Sequence, residues 1–162
     1  MKIGIFDLET SSLYADSGII LCSSVKEYGK KGINTVRADS LPTWKNNRSD
    51  TSLMIVKVME QLKRFDILVA HNGLYFDKKW INAQCIKHGL DPTVRYVKFV
   101  DPVQLSRRHL RLARHSLNAL IDYFGIKEQK LHVPLEMWVK ASHDGDKKTI
   151  WLRRQVKRVY YK

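Results

Sequence analysis

Two periodicities divide the chain. Ile3-Gly4-Ile5-Phe6-Asp7-Leu8 reads as a strand, and two more are expected near 19–28 and 33–37, the last pair joined by the turn Gly29-Lys30-Lys31-Gly32. Pro42 and Asn46-Asn47 mark 41–48 as a loop. The period then lengthens: Leu53, Val56, Met59, Leu62 and Phe65 recur at helical spacing, with Ser49 or Asp50 placed to cap the helix. Ile67-Leu68-Val69-Ala70 is a short continuous apolar run, as expected of a strand buried on both faces. After the turn His71-Asn72-Gly73 a helix is expected over 77–88, stopped by Gly89, and then a fifth strand over 97–100, ended by Asp101-Pro102. Two helical stretches follow; Ser116 caps the second, Leu117, Leu120, Ile121 and Phe124 form its apolar stripe, and Gly125 closes it. A last helix starts after Gly145-Asp146. Three antiparallel strands and then alternating helices and strands describe an α/β fold: a mixed five-stranded sheet flanked by helices, in a single domain over 1–162.

Asp7 and Glu9 interrupt this pattern on the first strand. Side chains two apart on a strand share a face, so Ile3, Ile5, Asp7 and Glu9 line one side and Gly4, Phe6 and Leu8 the other. Two carboxylates roughly 6–7 Å apart repel by about 2–3 kcal/mol at an effective dielectric of about 20, and burial adds a desolvation cost. A cation between them relieves this, and hard divalent ions such as Mg²⁺ or Mn²⁺ prefer oxygen ligands. The alternative is a strand that ends at Phe6, with 7–12 forming a solvated turn and a helix cap.

Charge sharpens the choice of partner. The 162 residues carry 29 Lys and Arg against 16 Asp and Glu, a formal charge of +13, which calls for a polyanion, nucleic acid before an acidic membrane surface. The excess is clustered. Between Arg95 and His115 stand Arg95, Lys98, Arg107, Arg108, Arg111 and Arg114 against one acid, Asp101, and 147–162 holds seven basic residues and no acid. Arg107, Arg111 and Arg114 recur at helical spacing, as a stripe that could track a phosphate backbone. No run approaches a membrane span, no signal-peptide pattern opens the chain, and Cys22 and Cys85 lack any paired spacing. A cytoplasmic protein with buried thiols is expected. Trp44, Trp80 and Trp138 read as core or partly buried, and His88, His109, His115 and His132 as surface or packing residues.

Val69-Ala70-His71-Asn72-Gly73-Leu74-Tyr75-Phe76-Asp77 is the second acidic element. Asn-Gly between apolar residues is a hairpin signal, but Asp77-Lys78-Lys79-Trp80-Ile81 loses the period of two and takes on helical character. Asp77 falls at the helix start, where a cap explains it as well as a ligand does. Together, Phe6-Asp7-Leu8-Glu9-Thr10 and His71-Asn72-Gly73-Leu74-Tyr75-Phe76-Asp77 resemble the first two motifs of the DEDD-type 3′–5′ exonucleases, whose fold is ribonuclease-H-like. Val100-Asp101-Pro102, Leu105-Ser106-Arg107-Arg108 and the segment from Ser116 to Ile126 are similar to the family's middle portion. The resemblance implies two divalent metal ions, Mg²⁺ or Mn²⁺, with Asp7 bridging both, Glu9 on the ion that activates water and Asp77 on the second. It also implies a single-stranded 3′ end of DNA or RNA as substrate, Asn72 helping to position that end, and a polymerase or repair protein as a possible partner.

The third motif departs from the family pattern. Where a tyrosine and an aspartate separated by three residues are expected, with a valine after, this chain has Trp151, Gln155 and Val156. Glutamine offers a neutral carbonyl in place of a carboxylate, and an indole has no lone pair with which to orient water. Asp144 or Asp146, with His143 nearby, could substitute if the local path differs, although their spacing suits the family's histidine form poorly. Two functions follow: a metal-dependent 3′–5′ exonuclease, or a catalytically weak or inactive nucleic-acid-binding module on the same fold.

Overall fold

The computed structural model describes residues 1–92 and 97–127. The described chain divides into two compact units, Met1–Pro102 and Val103 onward.

The first unit is built on β1 (Ile3–Thr10), β2 (Ile20–Glu27), β3 (Ile33–Arg37), β4 (Ile67–Val69) and β5 (Lys98–Val100). Among the described residues they form one mixed sheet of order β3-β2-β1-β4-β5, with β1, β2 and β3 antiparallel and β4 and β5 parallel to β1. The expected class and strand succession are therefore present. β1 runs two residues past Leu8, which places Asp7 and Glu9 on a strand and removes the solvated-turn alternative. Its alternation is the expected one: Gly4, Phe6 and Leu8 are buried, and Ile5, at 47% exposure, looks outward.

The buried face of the sheet packs on α2 (Ser52–Leu62). Gln61, 3% exposed, ties helix to sheet: its Oε1 accepts from Ser23 Oγ at 2.6 Å, and its Nε2 donates to Asn34 O at 2.8 Å. The N-cap is Thr51, without a side-chain capping bond, and not the expected Ser49 or Asp50; Asp50, one residue earlier, accepts from the Ser52 amide on Oδ1 at 2.9 Å. The stripe is a correction. Met54, Ile55, Val58, Met59 and Leu62 are buried, while Leu53 and Val56 are only half-buried. Steps of three advance 300° around a helix, so a string of them slides off any fixed face; the mixed three-and-four set stays on it.

Phe65, just past the helix, closes over β1. A Cβ on Gly4 would meet Phe65 Cγ at 2.9 Å and Val25 Cγ1 at 3.0 Å, so the glycine is what admits both side chains. Gly4→Ala is expected to lose about 1–3 kcal/mol through overpacking, read as a lower urea midpoint at unchanged slope.

Segment 41–48 is a second correction, since it contains α1 (Pro42–Asn46). Proline at a first helical position lacks only a donor that would be unpaired anyway, so Pro42 starts the helix and does not break it. Its Trp44 is buried, as is Trp80. β4 is fully buried only at Leu68, with Ile67 and Val69 half-buried.

α3 (Asp77–Lys87) stops as expected. Gly89 has φ +66°, the Leu90 amide reaches Cys85 O at 2.8 Å and the Gly89 amide reaches Ile86 O at 3.1 Å. This is the paired bonding of a glycine C-cap.

α4 (Pro102–His109) leads into the second unit, which holds α5 (Leu117–Tyr123). Ser116 Oγ accepts from the Ala119 amide at 3.3 Å, and Gly125 closes α5 at φ +63°. Of the expected stripe Leu120 is buried, but Phe124 is 59% exposed. Among the described residues no helix is long and apolar enough to cross a membrane.

Candidate active site

The parallel pairing of β1 with β4 covers only Ile3, Ile5 and the glycine between them. β4 ends at Val69, so past Ile5 the flank of β1 that faced it has, among the described residues, no strand beside it. Asp77, the first residue of α3, occupies that flank: the Leu8 amide donates to its Oδ1 at 2.9 Å, in a buried bond between positions 69 apart in sequence. A carboxylate from the helix thus sits on the strand amide between Asp7 and Glu9. The expected turn at 71–73 followed by a helix is what forms, and the hairpin alternative falls away; Asn72 stands in the turn at φ 61°. Asparagine is among the few residues that adopt this left-handed conformation readily.

The three acids differ in setting. Asp7 and Glu9 are half-buried, whereas Asp77 is 3% exposed. Burial, and after it the charge of Asp7, push the Asp77 carboxyl up from 3.8 to about 8, against the lowering pull of the Leu8 amide and its own amide; Asp101 adds a smaller upward push. Glu9 pairs across β2 with Cys22, and the register shifts between Glu9 and Thr10. Irregularities of this kind re-aim side chains at strand ends. Burial first, then Glu9 and Asp7, raise the Cys22 thiol well above its usual range, which keeps it protonated and inert. Both cysteines are free; Cys85 is buried as expected, whereas Cys22 is half-buried.

The donor chemistry suits a hard divalent cation: the groups are carboxylate oxygens, and a cation would offset the burial and the repulsion from Asp7 that keep Asp77 protonated. Among the described residues, no group of three or more His, Cys, Asp or Glu side chains could hold a metal ion as it stands. Trp151, Gln155, Asp144 and Asp146 lie outside the described residues, as do the last helix, Trp138 and His132.

Two further charged residues stand near these acids, and neither has a site role assigned by the motifs. Asp101, 3% exposed at the end of β5, accepts the Asn72 amide on Oδ1 at 2.9 Å and the Leu74 amide on Oδ2 at 3.3 Å. The visible hints were its standing as a lone acid in a basic stretch and its place in Val100-Asp101-Pro102, a segment similar to the family's middle portion. Arg37 faces Cys22 from β3 and is held by Asp39, Nε to Oδ1 at 3.0 Å, which brings a cation to the strand line that carries Glu9.

The arginine stripe is corrected. Arg107 is on α4, but the helix ends at His109, and Arg111 and Arg114 lie in the non-helical connection to α5. Ser106 Oγ meets His115 Nδ1 at 2.9 Å, so the chain folds back toward α4 where a straight helix would have carried His115 away. All three arginines are exposed, as is Asn72.

Comparison with known proteins places the chain. The solved structure of the family B DNA polymerase from the hyperthermophilic archaeon Pyrobaculum calidifontis matches with a TM-score of 0.67 over 98% of this chain and 23% of the polymerase chain; at 16% identity the likeness is one of fold. A DNA polymerase III PolC-type from Ureaplasma parvum serovar 3 is 30% identical over 142 residues, 75% of this chain. The chain spans about a tenth of that relative's length. A model of the RNase H superfamily matches residues 5–144, most of the sequence, and the chain belongs to that superfamily.

Proposed function

We propose that the chain is a metal-dependent nuclease that removes nucleotides from the 3′ end of a nucleic-acid strand, with Asp7, Glu9 and Asp77 as its metal-holding carboxylates. The observation that carries this is the 2.9 Å bond from the Leu8 amide to Asp77, which brings a helix carboxylate to the stretch of β1 that bears the other two. Core packing gives no reason to bury an acid beside Asp7. Membership of the RNase H superfamily and likeness to DNA polymerases support a nuclease, and the 3′–5′ direction rests on the resemblance of the two acidic motifs to the DEDD group.

Bound Mg²⁺ or Mn²⁺, two ions on the family pattern, would supply positive charge at the scissile phosphate and a water acidic enough to attack it. Mg²⁺ is commonly held by one or two carboxylates together with waters and substrate phosphates, so a preassembled three-carboxylate cage is not required. Asp7 and Asp77 would share the load at the strand flank, and Glu9 would act from the next outward position. Arg107, Arg111 and Arg114 are exposed cations suited to phosphate contacts that read no sequence, and Asn72 stands at the turn beside the acids. A polymerase partner is consistent with the relatives.

Gln155 supports a second reading, a nucleic-acid-binding module with little or no turnover. End-labelled single-stranded DNA and RNA incubated with Mg²⁺ or Mn²⁺ separates the two. Laddering by the parent that disappears in Asp7→Ala supports the nuclease. Salt-sensitive binding without laddering, and cleavage appearing in Gln155→Asp, supports the binding module. Neither binding nor cleavage by the parent ends both.

A further inference from the structure

Asp101 is buried deeply enough that its charge needs a structural return. Its two oxygens are divided between two backbone donors, the amides of Asn72 and Leu74. Both partners are N–H groups, so only a side chain with two acceptors satisfies them; an asparagine would turn its own NH₂ against one. Between the clamped amides the chain is tightly folded: Asn72 is at φ 61°, and the Gly73 amide bonds Ala70 O at 3.1 Å. The same turn starts α3, because Asn72 O accepts the Phe76 amide at 3.0 Å and Gly73 O accepts the Lys78 amide at 2.8 Å. Wherever the turn sits, the first residue of α3 follows, and that residue is Asp77.

We propose that Asp101 is a positioning residue that, by gripping the Asn72 and Leu74 amides from the end of β5, holds the start of α3 so that Asp77 stays on the Leu8 amide beside Asp7. Its charge opposes ionisation of Asp77, so its contribution is placement and not electrostatic help. The functional half rests on reading Asp77 as a metal-holding group; the geometric half does not.

The Leu8 amide reports the position of Asp77 without any need for activity. In Asp101→Asn, hydrogen exchange followed by NMR is expected to show this amide exchanging roughly tenfold faster, the scale of one weakened buried hydrogen bond, while amides of β2 and β3 keep their protection. Parent-like protection at Leu8 in that folded variant overturns the proposal. If Asp101→Asn does not fold, Asn72→Ala loads the same turn, since alanine tolerates a positive φ less well than asparagine, and the same two outcomes decide. Calorimetric titration with Mn²⁺ divides the halves. No binding by the parent removes the metal role of Asp77 and leaves the Leu8 result standing. Unchanged binding in Asp101→Asn with a loosened Leu8 amide overturns the functional half.

Discussion

Asp77→Asn is expected to make the protein harder to unfold at pH 8 and, if the proposed chemistry holds, at least about a hundredfold slower at cleavage, the scale on which loss of one transition-state-stabilising group acts. Asparagine keeps an oxygen for the Leu8 amide and removes the buried charge next to Asp7. With the Asp77 carboxyl raised from 3.8 to about 8, the folded protein holds a proton through that interval that the unfolded chain has released. The stability contributed by the protonated form is therefore complete below about pH 4 and lost as pH rises through about 8. Asp77→Asn should flatten this decline and gain roughly 2 kcal/mol or more at pH 8, about 5 °C or more in Tm. Mg²⁺ or Mn²⁺ should raise the parent's Tm at pH 8 and leave the variant's nearly unchanged. A parent whose stability does not decline between pH 4 and 8 would mean that Asp77 ionises normally and is not pressed against Asp7.

Such a trade separates a site residue from a structural one. A carboxylate that serves only the first turn of a helix loses its favourable interaction with the macrodipole when replaced by the amide, and the helix is slightly weakened. A carboxylate kept beside another carboxylate gains stability when neutralised.

The parts legible in the sequence are those in which local pattern and tertiary environment agree. β1 alternates because one face is buried, with Phe65 closed over Gly4, so the acids on the other face could be read directly. The glycine stops at Gly89 and Gly125 were visible because positive φ selects its residue. Asp77 was ambiguous for a physical reason: it stands in the first turn of α3 and bonds β1 as well, and only the second fact is non-local. Asp101 was opaque because its partners are backbone amides 29 and 27 positions earlier, and every residue but proline has such an amide. The arginine stripe misled because spacing of three and four is necessary for a helical face and not sufficient; α4 ends at His109, and the chain returns to meet it at the Ser106–His115 bond.

Gly73→Ala is expected to be the most damaging single-methyl change in the turn, at roughly 2–4 kcal/mol of stability. A Cβ there would lie 2.3 Å from Ala70 Cβ and 3.0 Å from Ala70 O, and neither is the far end of a flexible side chain. The nearer obstacle can be removed. Ala70→Gly costs about 1 kcal/mol by itself through added freedom in the unfolded chain, yet in combination with Gly73→Ala it should recover part of the loss, because only the carbonyl contact remains. A double-mutant cycle on urea midpoints should therefore give a favourable coupling of about 1 kcal/mol or more. Gly73 O also accepts the Lys78 amide, so displacement of the glycine moves the start of α3 and carries Asp77 with it. The Leu8 amide should lose protection in Gly73→Ala and regain part of it in the pair. Strictly additive single changes would show that the close approach of residues 70 and 73 is not what excludes a side chain, and that the turn reaches Asp77 by some other contact.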